Sequence, residues 1–233
     1  MAKFCIYCGK KLEENKVCDC QKIVPTSQEK NLMTDLLDVF KGMFVKPMDT
    51  LKEYTSSSSF GLGLILIGIF AVVTSLFALS VVKNAYSLIM GSIGVSGYST
   101  LNYGLGSVDV PYLKVFFTTF VVTIILTFIY TGLLYLVNTV IFKGDKDYKK
   151  IFSMYAINTT ISSVTLFVSI IFMFVHVTIA LIILFVGLLL NLIYQIKSLN
   201  LLGVKDENKH GYIYVLTLVL NYIILFVFLR IFS

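Results

Sequence analysis

Five apolar runs occupy the chain from residue 60 onward, and each is long enough to cross a membrane. A helix needs about 20 mainly apolar residues to span a hydrocarbon core of about 30 Å. The stretch 151–202 is too long for one span, so it must fold back, and we place its turn near Phe174–Val177. The runs predict spans at about 60–82, 115–142, 151–174, 178–200 and 212–232.

The composition supports a membrane environment for these helices. The chain is 57% hydrophobic and only 14% charged, with a mean hydropathy of +0.87. Soluble domains carry about 25% charged residues, so this chain cannot cover itself with polar surface. The net charge of +6 does not indicate nucleic-acid binding, because the lysines stand at the ends of the apolar runs. We also expect no secretory signal peptide, because a polar head precedes the first run.

The basic residues predict how the spans are oriented. Cytoplasmic loops of membrane proteins carry an excess of Lys and Arg. With the N-terminus inside, 16 of the 19 basic residues fall on the cytoplasmic side, and Lys83, Lys114 and Arg230 fall outside. This distribution predicts a multi-pass protein of the cell membrane, with a cytoplasmic N-terminus and an extracytoplasmic C-terminus. The glycine-rich loop at 83–112 then lies outside, as a flexible connection or as a segment on the membrane surface.

All four cysteines lie in the first 20 residues, at Cys5, Cys8, Cys18 and Cys20. Four thiolates bind Zn²⁺ tetrahedrally, and such a closed site is structural. The pair Cys18–Asp19–Cys20 has one spacer residue where two are common. A redox pair, a disulfide and idle thiols are the alternatives. A redox Cys-x-x-Cys pair usually lies in a βαβ context, which this sequence lacks. A disulfide needs an oxidising compartment. We predict a zinc-ribbon head over residues 1–22, which is similar to the short heads of many bacterial membrane proteins.

The connector at residues 23–59 contains an amphipathic pattern. Apolar residues recur at helical spacing from Leu32 to Phe44, with Asp35, Asp38 and Lys41 between them. Pro47 breaks or restarts this helix. Such a helix either lies in the inner membrane interface or packs on the cytoplasmic ends of the spans, and the sequence leaves both open.

Polar residues inside the predicted spans are uncharged. No acid falls within a span, and we expect His176 at the outer turn to be satisfied or solvent-facing. Threonines recur at four-residue spacing in the second span, and one asparagine lies in each of the last four. The residues are Thr119, Thr123, Thr127 and Thr131, and Asn138, Asn158, Asn191 and Asn221. Helix packing is the favoured interpretation of these groups, and a substrate path is the alternative.

No catalytic constellation is recognisable, so we predict a protein that is not an enzyme. The lead-in DLLDVFKGMFVKPMDTLKEY, with Phe40, Pro47 and Leu51, followed by five spans, resembles the prokaryotic branch of the Yip family over about residues 36–230. The resemblance implies a membrane protein of unknown role. The resemblance does not imply a GTPase partner, because no GTPase-binding residues of the family match this sequence.

The sequence therefore predicts an all-α membrane protein: a five-helix transmembrane bundle at 60–233, preceded by a zinc-ribbon knuckle and an amphipathic helix. The leading functional hypothesis is a non-enzymatic scaffold or adaptor whose zinc head contacts a protein partner. A small transporter or channel subunit is the first alternative, and a metal or redox sensor is the second. The identity of the partner and the oligomeric state stay open.

Overall fold

The computed structural model describes residues 3–4, 11–12, 32–57, 60–92, 111–204, 206 and 208–232. Two short strands, β1 and β2, come first, and seven α-helices follow. The elements are β1 (Lys3–Phe4), β2 (Lys11–Leu12), α1 (Leu32–Val45), α2 (Pro47–Ser57), α3 (Phe60–Ser92), α4 (Tyr112–Leu136), α5 (Tyr148–Met173), α6 (Val177–Ser198) and α7 (Asn208–Phe232). A π-helical segment, Val137–Ile141, continues α4, and a 3-10 turn, Leu199–Leu202, continues α6.

The five predicted spans are confirmed as five helices that are long and apolar enough to cross a membrane. The candidate spans are Phe60–Asn84, Tyr112–Ile141, Tyr148–Met173, Val177–Leu202 and Asn208–Val227. The turn between the third and fourth falls at Phe174–His176, where His176 accepts a hydrogen bond from the Thr178 amide through Nδ1 at 3.3 Å. His176 is exposed, as the sequence led us to expect.

The predicted outer loop is shorter than the sequence indicated. We expected it to begin at residue 83, but α3 continues to Ser92. The nine residues after Lys83 contain no proline and include the apolar run Leu88–Met90, so nothing in them ends the helix. The rest of the glycine-rich segment, residues 93–110, lies outside the described residues.

The amphipathic connector forms two helices, and the break falls at Lys46, directly before Pro47. Proline at the first position of a helix costs no hydrogen bond, which explains why α2 starts there. Val39 and Met43 of α1 and Leu51 of α2 are buried in the same core as the spans. Leu37, Phe44 and Val45 of α1 are exposed. The connector therefore packs against the bundle and keeps an apolar stripe on its outer side.

Helix α5 is the centre of the bundle and packs against α2, α3, α4 and α6. Half of its most apolar stretch is buried, against 11% for α6 and 17% for α7. The fully buried Phe152 lies with its ring 4.6 Å from Phe60 of α3 and 5.5 Å from Phe128 of α4. Further along α5, Asn158 donates a 3.0 Å hydrogen bond to Ser198 of α6. The helices α6 and α7 therefore present most of their apolar surface outward, where lipid would surround them.

The first 35 residues form a compact unit separate from Leu36–Ser233. Within this unit β1 and β2 pair antiparallel, with Lys3 opposite Leu12 and Phe4 opposite Lys11. Cys5 and Cys8 stand between the paired residues in the sequence, but all four cysteines lie outside the described residues.

Candidate functional site

A cavity of about 320 Å³ with a wide opening lies between the helices of the bundle, and residues of all five spans line it, most of them polar. Phe70 of α3, Thr123 of α4 and Asn191 of α6 each stand near the middle of their span, so the cavity reaches mid-depth. The other lining residues are Leu126, Thr127, Tyr130, Tyr155, Gln195, Tyr214, Leu218 and Asn221. Small-molecule sites measure about 300–1,000 Å³, so this cavity is at the small end of that range.

Three tyrosines from three helices form one end of this cavity. The rings of Tyr130 and Tyr155 lie 4.9 Å apart, and Tyr214 of α7 completes the group. The hydroxyl of Tyr130 lies 3.4 Å from Oε1 of Gln195, within long hydrogen-bond distance. The three tyrosines and Gln195 were not singled out in the sequence, and only the packing of the helices brings them together.

Two amide oxygens at the cavity have no hydrogen-bond partner among the residues that the structure describes. They are Oδ1 of Asn191 and Oδ1 of Asn221, and both atoms are buried. An unpaired buried acceptor costs about 1–3 kcal/mol, so such groups in a native structure call for an explanation. Asn138 and Asn158, which do not line this cavity, also have buried oxygens without a partner in the described residues, so these atoms do not by themselves indicate a ligand.

Three of the other polar residues singled out in the sequence form hydrogen bonds between elements of the bundle. Asn158 bonds Ser198, and the amide of Asn138 donates to the carbonyl of Asp145 at 3.0 Å. Thr131 donates to the carbonyl of Thr127, and its hydroxyl lies 3.1 Å from that of Tyr148. The packing interpretation therefore suits Asn138 and Asn158, which bond through their amide nitrogens, and Thr131, whereas Asn191 and Asn221 line the cavity.

A tight loop joins the π-helical segment after α4 to the start of α5. The amide of Asp145 donates to the carbonyl of Leu202 at 2.7 Å, which ties this loop to the end of α6. A Cβ added at Gly144 would stand 2.8 Å from the same carbonyl and 2.5 Å from Oδ1 of Asn138, so glycine is required there. Asp147 caps α5 by accepting from the amides of Lys149 and Lys150. These contacts fix the ends of three spans relative to one another.

A hydrogen-bonded ion pair stabilises this loop, with Nζ of Lys150 2.6 Å from Oδ2 of Asp145. The hydrogen bond from Lys150 holds the pKa of Asp145 below its ordinary value, and the charge of the same lysine adds to the effect against partial burial. A lowered folded pKa means that the stabilisation is present above the ordinary pKa of about 3.9 and is lost as pH falls through the lowered value.

We expect Asp145→Asn to lower stability at neutral pH by about 0.2–1 kcal/mol, since the pair is about one-third exposed. Below about pH 4 the unfolding temperature of the wild type should fall, and that of the variant should fall less. Thermal unfolding in detergent across this pH range measures both effects. Asp206→Asn is the matched control, because its pair with Lys209 is longer, at 3.7 Å, and more exposed. Equal effects of the two variants would contradict this account of the loop.

A second histidine was overlooked in the sequence. His210, in the first turn of α7, is buried, and its Nε2 lies 3.0 Å from the carbonyl of Val204. This contact closes the segment between α6 and α7, so the role of His210 is structural.

No cluster of three or more His, Cys, Asp or Glu side chains suitable for a metal occurs within the described residues. The predicted ligands Cys5, Cys8, Cys18 and Cys20 lie outside them, so the predicted zinc site stays a prediction. No acid falls within any of the five candidate spans.

Fold and site together define the class: a multi-pass α-helical membrane protein with a polar cavity inside its bundle. No protein-family model, curated protein or solved structure matches the chain.

Proposed function

We propose that this chain is a non-enzymatic membrane protein whose bundle binds a small solute at mid-depth, as a transporter or channel subunit. The observation that carries the proposal is the cavity near the middle of the bundle that residues of all five spans line. Binding sites of secondary transporters lie near the middle of the bilayer, where this cavity lies. This proposal takes up the transporter or channel subunit that the sequence offered as its first alternative.

Two features of the bundle support a binding role. Helix α7 is sparsely buried and borders the cavity through Tyr214, Leu218 and Asn221, so one wall of the site is held by few contacts. The π-helical segment Val137–Ile141 forms the end of the second span, seven residues after Tyr130 of the tyrosine group. Such segments occur frequently at functional sites.

The proposed orientation places the head and the α4–α5 loop in the cytoplasm and the C-terminus outside the cell membrane. Its support is the distribution of the 19 basic residues. Membership of the Yip family belongs to the same proposal, supported by five spans and by the break before Pro47 in the lead-in.

Solute entry into proteoliposomes tests the transport function. Wild-type protein and Leu188→Phe should admit solutes faster than protein-free vesicles, whereas Asn191→Phe should not, because the larger side chain fills the cavity. Both substitutions place phenylalanine on α6, and Leu188 is 56% exposed on the outer surface of the bundle. Entry rates equal to those of protein-free vesicles across a broad panel of small solutes would refute the proposal.

The second candidate function is a scaffold or adaptor that engages a partner through a structural zinc head. The observation that favours it is the pairing of Phe4 with Lys11, since an antiparallel pair around Cys5 and Cys8 suits a metal knuckle. Crosslinked capture from native membranes would compare the wild type with Cys5→Ser/Cys8→Ser. A partner recovered only with the wild type supports the adaptor. The same partners, or none, with both forms would count against it.

A further inference from the structure

Helix α1 exposes an apolar stripe beside the face that it buries in the protein. Val39 and Met43 are buried in the core that the connector shares with the spans. Leu37 and Phe44 are 61% and 57% exposed, and they stand two helical turns apart on one face of the helix. Phe40 lies between them and is partly buried. We call Leu37, Phe40 and Phe44 the outer stripe of α1.

The remaining residues of α1 give the helix a polar side next to the outer stripe. Successive residues of a helix are about 100° apart, so Lys41 follows the stripe around the helix and Asp38 follows Lys41. Both residues are exposed. A Cβ added at Gly42 would overlap the side chain of Thr50, so α2 packs on the side of α1 away from the stripe. This order of surfaces is typical of a helix at the boundary between lipid and water, where a lysine reaches the headgroups.

The position of α1 in the fold favours lipid as the partner of the outer stripe. In the sequence only residues 58 and 59 separate α2 from α3, the first candidate span. Helix α2 has 11 residues and is about 16 Å long, so it keeps α1 near the end of that span. The outward residues of α2 are polar, and they include Asp49, Lys52 and Glu53. Two helices on one core thus expose different surfaces: that of α2 suits water, and the stripe of α1 suits the lipid around the spans.

From these observations we propose that α1 lies in the membrane interface, with the outer stripe inserted into the lipid leaflet at the end of the bundle where α3 begins. The buried face of α1 holds the helix on the bundle, and the stripe adds a lipid contact outside the five spans. The ammonium group of Lys41 lies at the level of the lipid phosphates, and Asp38 faces water. This proposal does not depend on the cavity or on the zinc head.

Fluorescence quenching on the full chain in lipid vesicles tests the proposal, because the chain contains no tryptophan of its own. Leu37→Trp and Phe44→Trp place a single probe on the outer stripe, and Asp38→Trp places it on the polar side of the same helix. Lipids brominated near the headgroup end of their acyl chains quench a tryptophan in the leaflet, whereas iodide quenches one in water. Leu188→Trp, on the outer surface of α6, is the reference for a position that faces lipid.

We expect brominated lipid to lower the fluorescence of both stripe variants by roughly twofold, since an interfacial helix buries its apolar face about 5–10 Å into the leaflet. Iodide should quench Asp38→Trp much more strongly than either stripe variant. All three positions on α1 are exposed, so each variant should keep the unfolding temperature of the wild type, which is the control for folding.

Three results would overturn the proposal. Quenching of both stripe variants by iodide alone would place the stripe in water. Quenching by neither agent would show that protein covers the stripe, as a second copy of the chain or the N-terminal head would. Equal quenching of all three α1 variants by brominated lipid would show that the helix has no side that faces water.

Discussion

Zinc should be lost completely when Cys5 and Cys8 are replaced together by serine. All four cysteines of the chain lie in the head, so removing two leaves too few thiolates for a tetrahedral site. Structural zinc contributes about 10–16 kcal/mol of apparent binding free energy in zinc-finger peptides, and a head of this size has no core to replace it. We therefore expect one zinc ion per wild-type chain and none in the double variant, measured by elemental analysis of purified protein.

Membrane insertion should be unaffected by this change, because the head and the spans belong to separate compact units. The unfolding temperature of the spans is the control measurement, and it should match the wild type. A wild-type protein without zinc, or a double variant with the wild-type zinc content, would refute the metal site.

Gly187→Ala should strongly destabilise the bundle. A Cβ at this position would overlap the Thr165 side chain of α5, including its Cβ at 2.6 Å, so the two helices would have to move apart. Overpacking a tight contact costs about 1–3 kcal/mol and occasionally more. The unfolding temperature in detergent should fall accordingly.

Gly132→Ala in α4 is the matched control, since a Cβ there meets no atom within 4 Å. This control should leave the unfolding temperature unchanged or slightly raised. If the two alanine variants unfold at the same temperature, α5 and α6 do not cross closely at Gly187.

The spans were predictable because membrane thickness imposes a length that the sequence displays directly. Even the turn at Phe174–His176, which lacks Gly and Pro, could be located, since one helix of 52 residues would be far too long for a bilayer. The extension of α3 to Ser92 was not predicted, because glycine content and reduced hydropathy favoured a loop over helix. The break before Pro47 was predictable from the fixed backbone of proline.

The cavity could be predicted only in part. Thr123, Asn191 and Asn221 stood out as polar residues in apolar runs, but asparagine serves packing and ligand binding alike. What distinguishes Asn191 from Asn158 is its position: the amide nitrogen of Asn158 bonds Ser198 of α6, whereas Asn191 lines the cavity. That difference depends on how α5, α6 and α7 pack. The tyrosine group likewise joins three helices that are distant in sequence.

The central claim is that the bundle contains an accessible polar site at mid-depth, and substituted-cysteine labelling tests it most directly. Asn191→Cys and Leu188→Cys place a thiol on α6 toward the cavity and on its outward surface, respectively. A small polar thiol reagent is applied to the full chain in lipid vesicles, and the mass of the α6 peptide reports labelling.

We predict labelling of Asn191→Cys, since water and reagent reach a polar cavity, and none of Leu188→Cys, since lipid covers it. Both should react after unfolding. No labelling of Asn191→Cys in the folded protein, or equal labelling of the two positions, would contradict a polar site inside the bundle.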